Sequence, residues 1–301
     1  MKKFLIGLGT VLVLALLWYL FLKPSDYIIR FKASTFTGAI NQSLKLWDTS
    51  LDTIQSIQQE GKDLTELTQT LRFSDSTHVY HWKINPLTDS TAQVVVSVQD
   101  AEHSLMNKIM VPFSDTDFEK RSRKTVMEFM ENLEQHKENF RVNIIGEVDF
   151  QSKYIAYIPL KVTQFQKAGG MMKNVSYLSG ELFTNGVQLD GLPMVEVTHW
   201  DSVNDSIYYN LAQPIVRVDN LPQDTEIKYK RIFGKRALKA EYFGNYITSD
   251  RAWYALMDYA KRENIDVEPN PIEVFHNNPN TGGDELNWKA DIYLPLKENN
   301  D

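Results

Sequence analysis

Between residues 153 and 298 the chain lays out one plan twice, and no other feature limits its fold as tightly. In the first copy, about 153–216, Met171, Met172, Val175, Leu178 and Leu182 trace one helix face. Val187 and Leu189 then lead into GLPMVEVTHW, and the copy closes in YYNLAQPI. In the second, about 227–298, Trp253, Leu256, Met257 and Ala260 trace a helix face, Ile265 and Val267 lead into PNPIEVFHNN, and the close is ADIYLPL. Apolar residues at helical spacing followed by alternating strands make each copy a β-α-β-β unit. Val195-Glu196-Val197 and His199 stand against Ile272-Glu273-Val274 and His276, and Pro214 stands against Pro295. Two such units packed about a pseudo-two-fold leave a cleft at their junction, where ligand sites form.

Phe4 to Leu22 is an uncharged run of 19 residues, which at about 1.5 Å per residue matches the roughly 30 Å of a bilayer core. It is long for the apolar part of a secretory signal, and it ends in Trp18, Tyr19, Phe21 and Leu22 with no small-x-small site, so an uncleaved transmembrane anchor over residues 1–25 is the expectation. Lys2 and Lys3 before the run place the N-terminus in the cytoplasm, although Lys23, Arg30 and Lys32 follow it. The expected localisation is therefore single-pass membrane, with the body on the periplasmic side.

A chain with no cysteine forms no disulfide, thiolate metal site or thiol nucleophile. A formal net charge of −7 argues against nucleic acid as a partner, because phosphate binding draws on clustered Lys and Arg. The only compact basic run, Glu119 to Lys124 (EKRSRK), reads as a solvated helix face.

Residues 26–148 read as strand, helix, several strands and a long helix. DYIIRFKA (26–33) is strand-like, Ile40, Leu44, Trp47, Leu51 and Ile54 share a helical face, and four strand-like runs follow up to Pro112. Ser114-x-x-Asp117 and Thr116-x-x-Glu119 offer capping-box entries to a helix carrying Val126, Phe129, Met130 and Leu133 on one face. This order resembles the helix-grip domains of the SRPBCC superfamily (START and polyketide-cyclase relatives) in architecture, with no shared motif. Trp47, Trp82 and Phe129 read as core.

Arg236 to Leu296 resembles the second half of the GyrI-like effector-binding domain, the ligand-sensing part of many AraC-type and MerR-type multidrug regulators. The resemblance covers about residues 150–298. It is carried by Gly244 and Tyr246, the aromatic helix, Pro271 and Glu273, Asn278-Pro279 and the closing Asp291 to Pro295. Asn245 stands where the family commonly has proline, and no helix-turn-helix segment is present. The resemblance implies two β-α-β-β units around an aromatic pocket in which an acid, by position Glu273, meets cationic, lipophilic ligands.

Strand alternation puts Glu273 and Phe275 on one face, and a carboxylate withdrawn from water there requires a counter-charge or hydroxyl donors. Trp253, Tyr157, Tyr208 and Tyr293 are the rings expected around it, and Glu196 is its expected counterpart in the first copy. His199 and His276 fall on the opposite face from those glutamates, so no metal site is expected, and no motif calls for a cofactor.

The expected fold class is α+β: an N-terminal transmembrane helix (1–25), a helix-grip-like antiparallel-sheet domain (26–148) and a duplicated β-α-β-β GyrI-like domain (149–301). The expected function is membrane-anchored binding of a lipophilic, cationic small molecule. Two alternatives stay open. One is a GyrI-like hydrolase of reactive small molecules that uses Glu273 with Tyr157 or Tyr293, and the other is a protein-interaction or inhibitor module.

Overall fold

The computed structural model describes residues 2–51, 54–88 and 90–297. It is a mixed α/β chain with two antiparallel sheets, and it divides into two compact units, Met1–Gln135 and His136–Asp301.

The first unit begins with α1 (Lys2–Leu17), a π-helical turn (Trp18–Leu22), β1 (Tyr27–Ala33) and α2 (Thr37–Asp48). β2 (Ile54–Glu60), β3 (Glu66–Arg72), β4 (Thr77–Pro86) and β5 (Ala92–Asp100) follow, then α3 (Ser104–Met110) and α4 (Asp117–Glu138), whose last turn belongs to the second unit. The sheet order is β1-β5-β4-β3-β2. Residues alternate buried and part-exposed along β3, β4 and β5 because one face packs on a core and the other meets water. Trp82 and Val96 from that face join Ile40 and Leu44 of α2 and Val126 and Leu133 of α4 in the core. Phe129 meets the rings of Trp47 and Trp82 at centroid distances of 5.5 and 5.0 Å, a geometry that adds about 0.5–1.5 kcal/mol per pair to the burial.

The transmembrane helix and the single-pass localisation expected from the apolar N-terminal run are overturned: among the described residues no helix is long and apolar enough to cross a membrane. Regular α-helix stops after 16 residues at Leu17, a length of about 24 Å against the roughly 30 Å required. The remaining apolar residues form the π-turn, held by α3. The buried Lys108 ammonium donates to the carbonyl oxygen of Leu20 at 3.3 Å and to that of Lys23, and Tyr19 Oη donates to Lys108 O at 3.1 Å. Pro24 has no N–H to bond the Leu20 carbonyl oxygen, so the helix cannot run on past it, and Lys108 takes up that carbonyl from 88 residues along the chain.

The second unit contains β6 (Phe140–Phe150), β7 (Lys153–Thr163), α5 (Lys167–Thr184), β8 (Met194–Asp201), β9 (Ser206–Pro214) and β10 (Lys228–Ile232). Then come β11 (Lys235–Gly244), α6 (Arg251–Glu263), β12 (Ile272–Phe275) and β13 (Lys289–Pro295). Its eight strands run in the order β10-β7-β9-β8-β12-β13-β11-β6. The order β7-β9-β8 on one side of the sheet centre mirrors β11-β13-β12 on the other, so the halves meet where β8 pairs with β12. One sheet face packs with α5 (Leu178, Leu182) and α6 (Ala252, Trp253, Leu256, Ala260) into the larger core. The other carries a smaller apolar cluster that includes Ile155, Met194, Ala212 and Ile272.

β11 ends at Gly244, whose φ of +145° is open to glycine. A Cβ there would lie 2.6 Å from Tyr242 Oη and 2.8 Å from the Asn139 carbonyl oxygen. Gly244→Ala is expected to destabilise this unit by about 2 kcal/mol, measured as a lowered urea midpoint; an unchanged midpoint refutes the account.

Candidate functional site

β12 is only four residues long, yet it lies at the centre of the sheet between β8 and β13. Alternation turns Ile272 and Val274 toward the smaller cluster and Phe275 toward the helix-covered core. Glu273 shares the face of Phe275 and is fully buried at 0% exposure. The isolated burial of such a carboxylate costs several kcal/mol, and the fold offsets that cost with three side chains from both halves.

The first is Lys167, at the start of α5 and equally buried. Its Nζ donates to Glu273 Oε1 and Oε2, each at 2.6 Å, and to Ser249 Oγ at 2.7 Å. The second is Ser249, whose hydroxyl lies 2.9 Å from Glu273 Oε1 and 3.0 Å from the Tyr246 carbonyl oxygen. The third is Trp253 in the first turn of α6, whose Nε1 donates to Glu273 Oε1 at 2.8 Å. The Lys167 ammonium also sits over the Trp253 ring, 4.7 Å from its centroid, a cation–π geometry.

Around this pair the aromatic shell is closed. Phe275 packs on Tyr246 at 4.7 Å, and Trp200 packs on both Trp253 and Tyr254 at 5.4 Å. Tyr209 Oη donates to the Lys167 carbonyl oxygen at 3.0 Å. Burial, together with the Glu273 charge, pushes the Tyr209 hydroxyl well above its ordinary pKa. Burial pushes Tyr246 up to about 12. Both phenols are neutral at physiological pH and act as donors.

The sequence-predicted residues divide between the two sheet faces. Glu273, Phe275 and Trp253 come together on the helix side. Tyr157 and Tyr293 pack on the smaller cluster of the opposite face. Glu196 lies on that face too, because it pairs across the strands with Ile272 while Glu273 pairs with Val195. There Glu196 binds Lys230 at 2.6 Å and Asn210 at 2.7 Å, and the Lys230 ammonium lies 5.2 Å from the Tyr157 ring. Tyr293 packs edge-on against Phe150 at 5.1 Å. Tyr208 is 40% exposed and neighbours His199 and Lys161. The string E-V-x-H therefore recurs in sequence with its two carboxylates on opposite faces. A register shift between Val197 and His199 breaks the match further along β8.

Sequence reasoning missed Lys167, Ser249 and Tyr209. Nothing local marks Lys167 as buried; the adjacent Gly169-Gly170 pair is the one trace that the α5 entry is unusual. His276 pairs with Asp291 at 3.0 Å, and among the described residues no group of three or more His, Cys, Asp or Glu side chains could hold a metal ion.

No family model and no curated protein matches this sequence. Several solved structures of low identity are similar to part of this chain. The C-terminal domain of EcmrR is 13% identical, with a TM-score of 0.44 over 53% of this chain and 98% of that one. SAV2435, solved bound to tetraphenylphosphonium, is 10% identical, with a TM-score of 0.34 over 52% of this chain and 93% of that one. A hydrolase encoded by lin2189 from Listeria innocua is 11% identical, with a TM-score of 0.32 over 55% and 97%. What those proteins bind or hydrolyse is a property of each of them.

Proposed function

We propose that residues 136–301 form a GyrI-like small-molecule-binding unit whose seat is the Glu273 end of the seam between its halves, and that the ligand is lipophilic and cationic. One observation carries the reading: the carboxylate is buried among Trp253, Phe275 and Tyr246, and the charge that balances it is an ammonium held against an indole face. That set of contacts rewards a positive charge on an apolar body, by desolvated ion pairing and by cation–π attraction of about 0.5–2 kcal/mol per ring. Binding is favoured over hydrolysis. Glu273 Oε1 already faces three donors and Oε2 one, which leaves it a poor general base, and Tyr157 and Tyr293 lie on the other face of the sheet.

The test is calorimetric titration of the full chain with tetraphenylphosphonium and with a neutral tetraphenyl isostere. The phosphonium is expected to bind more tightly, and Glu273→Gln to weaken it at least tenfold while changing the neutral compound little. Equal losses for both compounds reject charge selection.

A further inference from the structure

We infer that Lys167 is a built-in occupant of the cation seat, and that the first turn of α5 is a plug which a ligand cation must displace. This rests on the reading above and adds its regulation. A seat whose carboxylate is bound on both oxygens by an ammonium of its own chain has no net charge to offer a second cation. Entry of a lipophilic cation therefore exchanges one positive charge for another, and the Lys167 side chain has to leave.

The turn that carries Lys167 is built to move. α5 starts without a side-chain cap and runs on from a single 3-10 turn (Gln164–Gln166), with the Lys167 N–H bonded to the Gln164 carbonyl oxygen, and its first four residues are Lys167, Ala168, Gly169 and Gly170. Glycine weakens a helix through backbone entropy. Gly170 has a packing reason, since a Cβ would collide with the Tyr209 hydroxyl. Gly169 has none: a Cβ there meets nothing within 4 Å. The space costs nothing to fill, yet the residue that makes the turn easiest to unwind occupies it.

What holds the plug shut is polar and reversible. Tyr209 Oη grips the Lys167 carbonyl. One turn earlier, Gln164 donates to Tyr254 Oη at 2.8 Å and to Asp250, and accepts from Trp200 Nε1 at 3.0 Å. The Gln164 bonds to Tyr254 and Asp250 tie the α5 entry to α6 across the seam, where a guest would enter.

Three measurements with tetraphenylphosphonium test this. In the wild-type chain, saturating ligand should expose the Lys167 amine to reductive methylation, read by peptide mass spectrometry; unchanged protection while the ligand is bound overturns the plug. Gly169→Ala, which stiffens the turn without touching the seat, should weaken binding about threefold, and equal or tighter binding counts against it. Lys167→Met should tighten binding at least tenfold, and equal affinity means that Lys167 does not compete. Should the Met variant fail to fold, the methylation and Gly169 results decide. If neither wild type nor any folded variant binds the phosphonium, the ligand-class reading itself falls, and the plug with it.

Discussion

Glu273→Ala is expected to cost the second unit about 3–5 kcal/mol, because it leaves the Lys167 ammonium buried at 0% exposure with no counter-charge, held by the Ser249 hydroxyl and the Trp253 ring. For a unit of this size that lowers the melting temperature by roughly 10 °C. Hydrogen exchange of the β12 and β13 amides isolates this unit from the rest of the chain and is the measurement of choice. The informative comparison is the double variant Lys167→Met with Glu273→Leu. Replacing both charges removes the desolvation cost of each and should recover about half of the loss or more. It does not recover everything, since Trp253 Nε1 loses its acceptor and a buried unpaired donor costs about 1–3 kcal/mol. If the double variant is as unstable as the single one, the pair is a net stabiliser, and the argument that it is kept for binding loses its footing.

The second large effect is acid sensitivity, set by two histidines. Burial holds His78 at about 4, opposed by Asp100 at 3.9 Å and reinforced by Arg121, while Asp75 and Glu102 act with Asp100. Burial and Arg251, whose Nε donates to the His136 ring nitrogen at 3.2 Å, hold His136 at about 4. The ordinary value is 6.5. Both imidazoles are thus neutral in the fold through a window in which the unfolded chain takes up protons. The stability they contribute is present in full above pH 6.5 and declines as pH falls toward 4, by up to about 1.4 kcal/mol per pH unit for each.

Between pH 6.5 and 5 the fully buried His78 alone is expected to cost the first unit about 2 kcal/mol. The less buried His136 costs the second unit less. Asp26 and Asp48, whose carboxyls burial raises, work with the opposite sign in the first unit, because their folded forms take up protons before the unfolded chain does. Urea midpoints at pH 7 and 5 decide the matter, and His78→Phe, which suits the surrounding rings of Phe73, Tyr80 and Phe118, should flatten the slope. A midpoint that does not move between those pH values rejects the account.

Much of the second unit was legible because its signals are short-range. Apolar residues at helical spacing located α5 and α6, and alternation within IEVF put Glu273 on the face of Phe275. The odd acid in an apolar strand pointed to a carboxylate in need of partners, and Trp253, grouped with it, is one of them. The faces of the other candidates were not legible. Strand pairing places Glu196 opposite Ile272, and one residue of register decides which side of a sheet a carboxylate sees. A recurring E-V-x-H string carries no information about that register. The apolar N-terminal run misled because composition alone suits a membrane, whereas regular α-helix stops at Leu17 and Lys108, far along the chain, holds carbonyls of the turn beyond it.

By itself, the sequence determined the periodic elements, the doubled β-α-β-β plan and the presence of an acid where water is scarce, since each follows from side chains a few residues apart. The tertiary structure alone decided what that acid is paired with. Lys167 and Glu273 lie 106 positions apart and meet only because β8 pairs with β12 and brings α5 across the seam. Counter-ion pairing in a dry interior depends on that long-range geometry, which no local pattern encodes.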